Sequence, residues 1–255
     1  MQGREDHWPI AVVRILRRRC DRTAGVVQVW QDMPERFTER LRRAVASIWE
    51  AQHQHPFVRG IGDGTLPLER FKFWVRQDYV FLIEYARVLA LAAARTPGLN
   101  TIAKFSALLN ETVNTEMSLH RAYAAEFGIS SAELEREVPA PITRAYTDFL
   151  LRVATTGDYA ELVAALLPCM WAFSEIGLRL AKLPAPADQR YLKWIAMYSS
   201  AEFADLACWC RELMDELAAG LPERHLEKLE TVFLTSSRYE FQFWEMSWKQ
   251  EQWPV

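Results

Sequence analysis

Apolar residues recur along most of the chain at three- and four-residue intervals, which is the period of an α-helix. One apolar stripe, between residues 67 and 95, consists of Phe71, Trp74, Val75, Leu82, Tyr85, Ala86 and Leu89. A later stripe consists of Ile142, Tyr146, Phe149, Leu150 and Val153. No segment of the sequence alternates apolar and polar residues as a half-buried strand would. The pattern therefore predicts an all-α protein, a compact bundle of about eight helices.

Capping residues, prolines and glycines divide this pattern into separate helices. Asp32 followed by Pro34 predicts the start of the first helix, and the glycine-rich stretch 55–67 predicts a connector. Thr65 and Asn100 are expected to cap the two helices that follow. The predicted helices cover about residues 34–54, 67–95, 100–127, 188–199, 202–219 and 222–249, with two more around residues 142–153 and around Cys169.

The predicted helices belong to one domain, because 255 residues suffice for a single sizeable core and are few for two. Residues 1–30 differ from the rest and contain a basic cluster at 14–22. We interpret them as an N-terminal extension without an assigned function. Residues 31–255 are predicted to form the single helical catalytic domain.

The composition excludes several classes of partner. A formal net charge of −3 lacks the basic field that binding to nucleic acid requires. The longest nearly continuous apolar run, residues 88–94, is too short to span a membrane, and no secretory leader opens the chain. The four cysteines form no C-x-x-C pair, so we expect free thiols and a cytoplasmic location.

Three residues are chemically unusual for their places in the predicted helices. Pro168 should loosen its helix and direct the thiol of Cys169 toward a cavity. Asp78 lies in the apolar stripe of its helix, and Glu240 lies in an aromatic run where desolvation should raise its pKa. Cys169, Asp78 and Glu240 could each have a purely structural role instead. Cys169 can be a small core residue, and either carboxylate can be paired with a buried cation.

Together, a thiol, two carboxylates on apolar faces and many aromatic side chains are typical of covalent attack on a small planar ring. The cysteine would be the nucleophile, one carboxylate would anchor the ring, and the other would move protons. A metal-dependent oxidase is one alternative, because Glu116 and His120 lie four residues apart on one helix face. A di-iron bundle needs a second such pair, which we do not find, so we predict no metal site.

Six motifs carry a resemblance to a known family. They are HPFVRGIGDGTLP at 55–67, FKFWVRQD at 71–78, ETVNTEMSLHR at 111–121, LLPCMW at 166–171, KWIAMY at 193–198 and SSRYEFQFWEM at 236–246. With these motifs in this order, the chain resembles the TenA family of type II thiaminases, also called aminopyrimidine aminohydrolases. The resemblance implies a haem-oxygenase-like helical fold, usually a homotetramer, that needs no cofactor.

The resemblance also implies an activity and roles for the site residues. Family members hydrolyse 4-amino-5-aminomethyl-2-methylpyrimidine to the hydroxymethylpyrimidine and ammonia in thiamin salvage, and can also split thiamin. Cys169 matches the nucleophile, Glu240 the acid/base, and Asp78 the carboxylate that holds the amidine-like edge of the ring. The other residues expected to bind the pyrimidine are Tyr146, Tyr198, Phe81, Phe173 and Phe243.

Two positions depart from the family's usual pattern. Phe81 and Phe173 stand where family members often carry tyrosine, and the loss of both hydroxyls is expected to alter contacts with the leaving group. A second alternative to the enzyme is a non-catalytic protein that binds a pyrimidine in a regulatory role. The presence of Cys169, Asp78 and Glu240 together favours the enzyme.

Overall fold

In the computed structural model, which describes residues 35–254, every regular element is a helix, as the apolar pattern predicts. The helices are α1 (Phe37–Ala44), α2 (Ala46–Gln54), α3 (Pro56–Asp63), α4 (Leu68–Arg95), α5 (Leu99–Glu111), α6 (Met117–Glu126), α7 (Ser131–Leu134), α8 (Pro141–Thr156), α9 (Tyr159–Leu180), α10 (Gln189–Tyr198), α11 (Ala201–Ala218) and α12 (Glu223–Lys249). A π-helical turn, Thr112–Glu116, joins α5 to α6. The extension at residues 1–30 and the predicted cap at Asp32 lie outside the described residues.

The glycine-rich stretch at 55–67 was predicted to be a connector, and this prediction is wrong. His55 caps α3 by accepting a hydrogen bond from the backbone N–H of Phe57 at Nδ1, 3.1 Å away, and Pro56 occupies the first helical position. The helix ends at Gly64, whose φ of 78° lies in the left-handed region. A Cβ at Gly60 would lie 2.9 Å from the backbone of Leu66, so this glycine permits close packing inside a helix.

The other predicted boundaries are partly right. The segment predicted as one helix at 34–54 is divided at Val45 into α1 and α2. The helices that follow begin after Pro67 and Gly98, so neither Thr65 nor Asn100 is the cap. Polar caps with reciprocal hydrogen bonds occur where the sequence indicates them, at Ser130 with Glu133 and at Asp158 with Glu161.

The centre of the core is α9, which packs against α8, α10, α11 and α12. It is the one helix within residues 35–254 that is long and apolar enough to cross a membrane, but 83% of its apolar window is buried inside the protein. That burial is typical of a core helix. Around it, the aromatic rings of Trp74, Phe173, Trp194 and Trp244 pack with centroids 5.1 to 6.4 Å apart.

The cysteines only partly match the expectation of free thiols. Cys169 and Cys210 are free, whereas Cys208 is disulfide-bonded, so the expectation is wrong for Cys208. Among the described residues, the free thiol of Cys210 is fully buried in α11, and that of Cys169 retains partial exposure although the rest of α9 around it is buried. The partial exposure is consistent with a thiol that faces a cavity.

Candidate active site

The three residues singled out for chemistry come from three long helices and face one region. Asp78 on α4 and Glu240 on α12 are 5% and 3% exposed. Burial raises the pKa of the Cys169 thiol well above its usual value, and the charges of Glu240, Glu116 and Asp78 raise it further. Because a charge shifts a pKa only from nearby, Glu240, Glu116 and Asp78 lie on the side of the bundle that the thiol faces. The thiol is therefore protonated at rest.

Asp78 is paired with a histidine, not with the arginine that a structural interpretation suggests. Its Oδ2 lies 2.7 Å from Nε2 of His120, and both side chains are buried. The Nδ1 of His120 donates to the backbone carbonyl of Glu116 at 2.9 Å, because a carbonyl oxygen can only accept. Burial lowers the pKa of His120, but the hydrogen bond and charge of Asp78 outweigh burial and raise it. The result is a buried histidine–aspartate pair.

Glu116 is a further acid in the site, which the sequence analysis considered only as a possible metal ligand. Its Oε1 accepts a hydrogen bond from the hydroxyl of Tyr198 at 2.8 Å. Burial and the neighbouring charge of Asp78 raise the pKa of Glu116 to about 7. Glu116 ends the π-helical turn, and such turns often occur at functional sites because the extra residue re-aims side chains.

Tyr198 reaches this acid because α9 and α10 cross closely. A Cβ at Gly177 of α9 would overlap the backbone carbonyl of Tyr198, so only glycine permits this approach. The ring of Tyr198 packs against Phe173 with centroids 5.0 Å apart. The site thus has one wall in which an aromatic side chain, a phenol and an acid are adjacent.

Glu240 lies at the other end of the site and is hydrogen-bonded to a phenol instead of a cation. Its Oε1 is 2.5 Å from the hydroxyl of Tyr146, which is also 3.0 Å from Oγ of Ser236. Burial raises the pKa of Glu240 to about 8, the hydrogen bond to Tyr146 opposes this shift, and the charge of Asp78 adds to it. The direction agrees with the shift expected from its aromatic neighbours. At neutral pH the protonated acid predominates.

Two carbonyls of α9 just before Pro168 receive hydrogen bonds from side chains of the site. The hydroxyl of Tyr85 donates to the carbonyl of Leu166 at 3.1 Å, and Oγ of Ser236 donates to the carbonyl of Ala165 at 2.7 Å. The hydroxyl of Tyr85 also lies beside the thiol of Cys169 and partly opposes the rise in the pKa of that thiol. In the sequence, Tyr85 is visible only as part of the apolar stripe of its helix, because nothing in a stripe distinguishes a phenol that lines a site from one in the core.

Aromatic side chains form the wall next to Glu240. The ring of Phe81 lies 5.1 Å from that of Tyr146 and 5.6 Å from that of Phe243, and all three are buried. A planar heterocycle can stack against such surfaces, which also exclude water. In the part of the chain that the structure describes, no group of three or more His, Cys, Asp or Glu side chains is placed to hold a metal ion. Glu116 and His120 are hydrogen-bonded within the site instead.

Comparison with known proteins finds a matching family and similar sequences over most of the chain. The TENA/THI-4/PQQC family matches residues 42–250. The chain is 47% identical over 218 residues to an aminopyrimidine aminohydrolase from Halalkalibacterium halodurans, which covers 85% of this chain and 97% of that protein. It is 38% identical over 218 residues to an aminopyrimidine aminohydrolase from Bacillus subtilis, which covers 86% of this chain and 92% of that protein.

Solved structures agree at the level of fold. A TenA homologue from P. horikoshii OT3 superimposes with a TM-score of 0.76 at 31% identity, over 84% of this chain and 99% of that one. A domain with a heme oxygenase-like fold from Shewanella denitrificans gives a TM-score of 0.64 at 15% identity, over 84% of this chain and 92% of that one. The helical bundle therefore has the haem-oxygenase-like architecture.

Proposed function

Because the chain belongs to the TENA/THI-4/PQQC family, we propose that it hydrolyses 4-amino-5-aminomethyl-2-methylpyrimidine to the hydroxymethylpyrimidine and ammonia. The observation that carries the proposal is the convergence of the Cys169 thiol with the buried acids Glu240 and Asp78. The aminopyrimidine aminohydrolases at 47% and 38% identity support the same reaction. Thiamin, which contains the same pyrimidine, is a second substrate in this proposal.

The ring binds with its amidine-like edge on Asp78. A carboxylate accepts a hydrogen bond from the exocyclic amine and favours a proton on the adjacent ring nitrogen, which makes the ring more electrophilic. His120 holds the carboxylate through Oδ2, at 2.7 Å, and so fixes its orientation. Tyr198, hydrogen-bonded to Glu116, contacts a second ring nitrogen in this arrangement.

The covalent step begins with the thiol of Cys169, whose raised pKa means that it loses its proton only as it attacks. Sulfur bonds to a ring carbon, a C=N electron pair moves to ring nitrogen, and that nitrogen gains the proton that the thiol loses. Tyr198 and Glu116 provide a path for this proton, because the pKa of Glu116 is about 7. The rigid hydrogen-bonded groups stabilise the charge that develops on the ring.

Glu240 completes the exchange of amine for water. The ring electrons return to expel the aminomethyl nitrogen, which takes the proton of Glu240 and leaves as ammonia. Glu240, now a carboxylate, accepts a proton from the water that adds to the exocyclic carbon. Loss of the Cys169 sulfur then restores the aromatic ring and the thiol. Overall, one water is consumed and one ammonia released, so atoms and charge balance.

Phe81 and Phe173 contribute apolar surfaces to this pocket in place of hydroxyls. Phe81 contacts Tyr146 and Phe243, and Phe173 contacts Tyr198. In our proposal they stack against the ring or its departing group without donating hydrogen bonds. The protein acts in the cytoplasm as a homotetramer and needs no cofactor, and sedimentation of the purified protein at several concentrations tests the tetramer.

The decisive experiment measures ammonia release from the aminomethylpyrimidine, with thiamin assayed in parallel. We expect turnover in the native protein and none in Cys169→Ala. The matched control is Cys210→Ala, which removes the other free thiol, buried in α11, and should retain turnover. Retained turnover in Cys169→Ala would exclude this nucleophile. Binding of the pyrimidine to the native protein without ammonia release would favour the regulatory alternative.

A further inference from the structure

A series of hydrogen bonds through Tyr146 and Ser236 connects the side chain of Glu240 to the backbone of α9. Oε1 of Glu240 lies 2.5 Å from the hydroxyl of Tyr146, which lies 3.0 Å from Oγ of Ser236, which lies 2.7 Å from the carbonyl oxygen of Ala165. The three side chains come from α12 and α8 and are buried, with Ser236 at 0% exposure.

The number of protons available to these three hydrogen bonds sets the direction of each one. A carbonyl oxygen can only accept, so the single proton of Ser236 is donated to Ala165. The Oγ of Ser236 can then only accept from Tyr146, which uses the single phenolic proton. With its proton directed at Ser236, Tyr146 presents a lone pair to Glu240. At 2.5 Å, this contact is then a hydrogen bond that the protonated acid donates, whereas Tyr146 donates it when Glu240 is a carboxylate.

We propose that Ser236 is a positioning residue that holds Glu240 in its protonated form by accepting the proton of Tyr146. The inference rests on the proposed function for the use of that proton. Once Glu240 has protonated the departing amine, the hydroxyl of Tyr146 rotates and donates to the new carboxylate. Tyr146 is therefore a two-position hydroxyl, directed at Ser236 before the amine leaves and at Glu240 afterwards.

The other groups that act on Glu240 do not fix the location of this proton. Among described residues, the ionisable groups that interact with it are Asp78 and Tyr85 of α4, Tyr146 of α8 and Cys169 of α9. Helix α2 contacts α12 through the neutral pairs Trp49–Ser237 and Gln52–Trp244. His55 before α3 faces Glu245, and Arg40 of α1 binds Glu230, both away from Glu240 on α12. Only Tyr146 is within hydrogen-bond distance of the acid among these groups.

The test is a titration of Glu240 in substrate-free protein, by NMR of carboxyl-labelled glutamate with the signal assigned from Glu240→Gln. In Ser236→Ala, the Tyr146 proton loses its acceptor unless it turns to Glu240, so the carboxylate is favoured and the Glu240 pKa should fall by about one unit. The matched control is Ser237→Ala. Ser237 is also buried on α12 but accepts from Trp49, and its removal should leave the titration unchanged.

Tyr146→Phe provides a second variant with the opposite expected sign. It removes the one donor within hydrogen-bond distance of the carboxylate among residues 35–254, so the Glu240 pKa should rise. The pH profile of kcat should shift in the same directions: its alkaline limb should move to lower pH in Ser236→Ala and to higher pH in Tyr146→Phe. An unchanged titration in Ser236→Ala, or an equal shift in Ser237→Ala, would overturn the inference. The titration needs no substrate, so its result is independent of whether the native protein releases ammonia.

Discussion

A buried acid that is kept for chemistry should reduce stability in a pH-dependent way, and Glu240 is such an acid. Folding raises its pKa from 4.5 to about 8. The folded state therefore binds this proton more tightly than the unfolded state. The contribution of Glu240 to stability is fully present below about pH 4.5 and is lost as pH rises toward 8. Above that range, the buried carboxylate opposes folding.

Glu240→Gln should therefore abolish ammonia release and stabilise the protein, because an amide N–H replaces the acid O–H opposite Tyr146 without a charge. The gain in unfolding free energy over the native protein should grow from pH 4 to pH 8 and be on the order of 3 kcal/mol at pH 7. Urea unfolding at several pH values measures it. Glu227→Gln, an exposed position on the same helix, should show no such growth. A constant difference at all pH values would contradict the assignment.

Individual residues also show how far sequence reasoning extends. An acid on an apolar face is visible in a sequence, which is how Asp78 and Glu240 are found. Their partners are not visible, because His120 is 42 residues from Asp78 and Tyr146 is 94 residues from Glu240. The pair at Glu116 and His120 has a metal-ligand spacing, but the structure uses His120 to hold Asp78. Only the three-dimensional arrangement decides between a ligand and a hydrogen-bonding partner.

At the scale of elements, α9 continues through Pro168 as one helix. Proline lacks the N–H that would bond the carbonyl four residues earlier, that of Ala164, and its ring crowds that carbonyl. The next two carbonyls, at Ala165 and Leu166, are the ones that accept from Ser236 and Tyr85. We infer that the loosened turn makes these carbonyls accessible to side chains from neighbouring helices.

Pro168→Ala should consequently disturb the site while leaving the helix intact. Restoring the N–H tightens the turn and draws the carbonyls back into the helix, so we expect kcat to fall by about tenfold and the rate of Cys169 alkylation to change. Pro56→Ala, at the first position of α3, is the control and should alter neither rate. If turnover and thiol reactivity both remain native in Pro168→Ala, the proline has no role in the site.

The stretch at 55–67, which sequence reasoning misjudged, has a physical explanation. The prediction of a connector at 55–67 counted glycines as turn residues, yet Gly60 and Gly62 lie inside α3, where larger residues would collide with Leu66 and Leu180. Glycine required for close packing and glycine required for a turn look alike in a single sequence. Long helices such as α4 and α12 were predicted well because their apolar stripes repeat over many turns.

At the scale of the whole molecule, the site exists only when the bundle is assembled. Its groups come from α4, the π-helical turn, α6, α8, α9, α10 and α12, and the hydrogen bond from Tyr85 to Leu166 spans 81 residues. No local segment contains the site, so folding and pocket formation are one event. The aromatic core that supports α9 is continuous with the aromatic side chains of the site, which explains why composition alone cannot distinguish ring binding from ordinary packing.

Since every site residue lies between Asp78 and Phe243, removal of residues 1–30 should leave both the fold and the reaction intact. The family match begins at residue 42, and α1 begins at Phe37. We expect native kcat and an unchanged helical content, measured by ammonia release and circular dichroism.

A longer truncation provides the contrast. A chain that begins at Ala46 lacks α1, whose Thr38 hydrogen-bonds Asp215 at 2.8 and 3.0 Å and whose Arg40 binds Glu230 at 2.7 Å. Because α1 also buries Leu41, its loss should lower the melting temperature and reduce turnover through instability. Loss of turnover already on removing residues 1–30, with the melting temperature unchanged, would instead assign those residues to the site and contradict a single catalytic domain at 31–255.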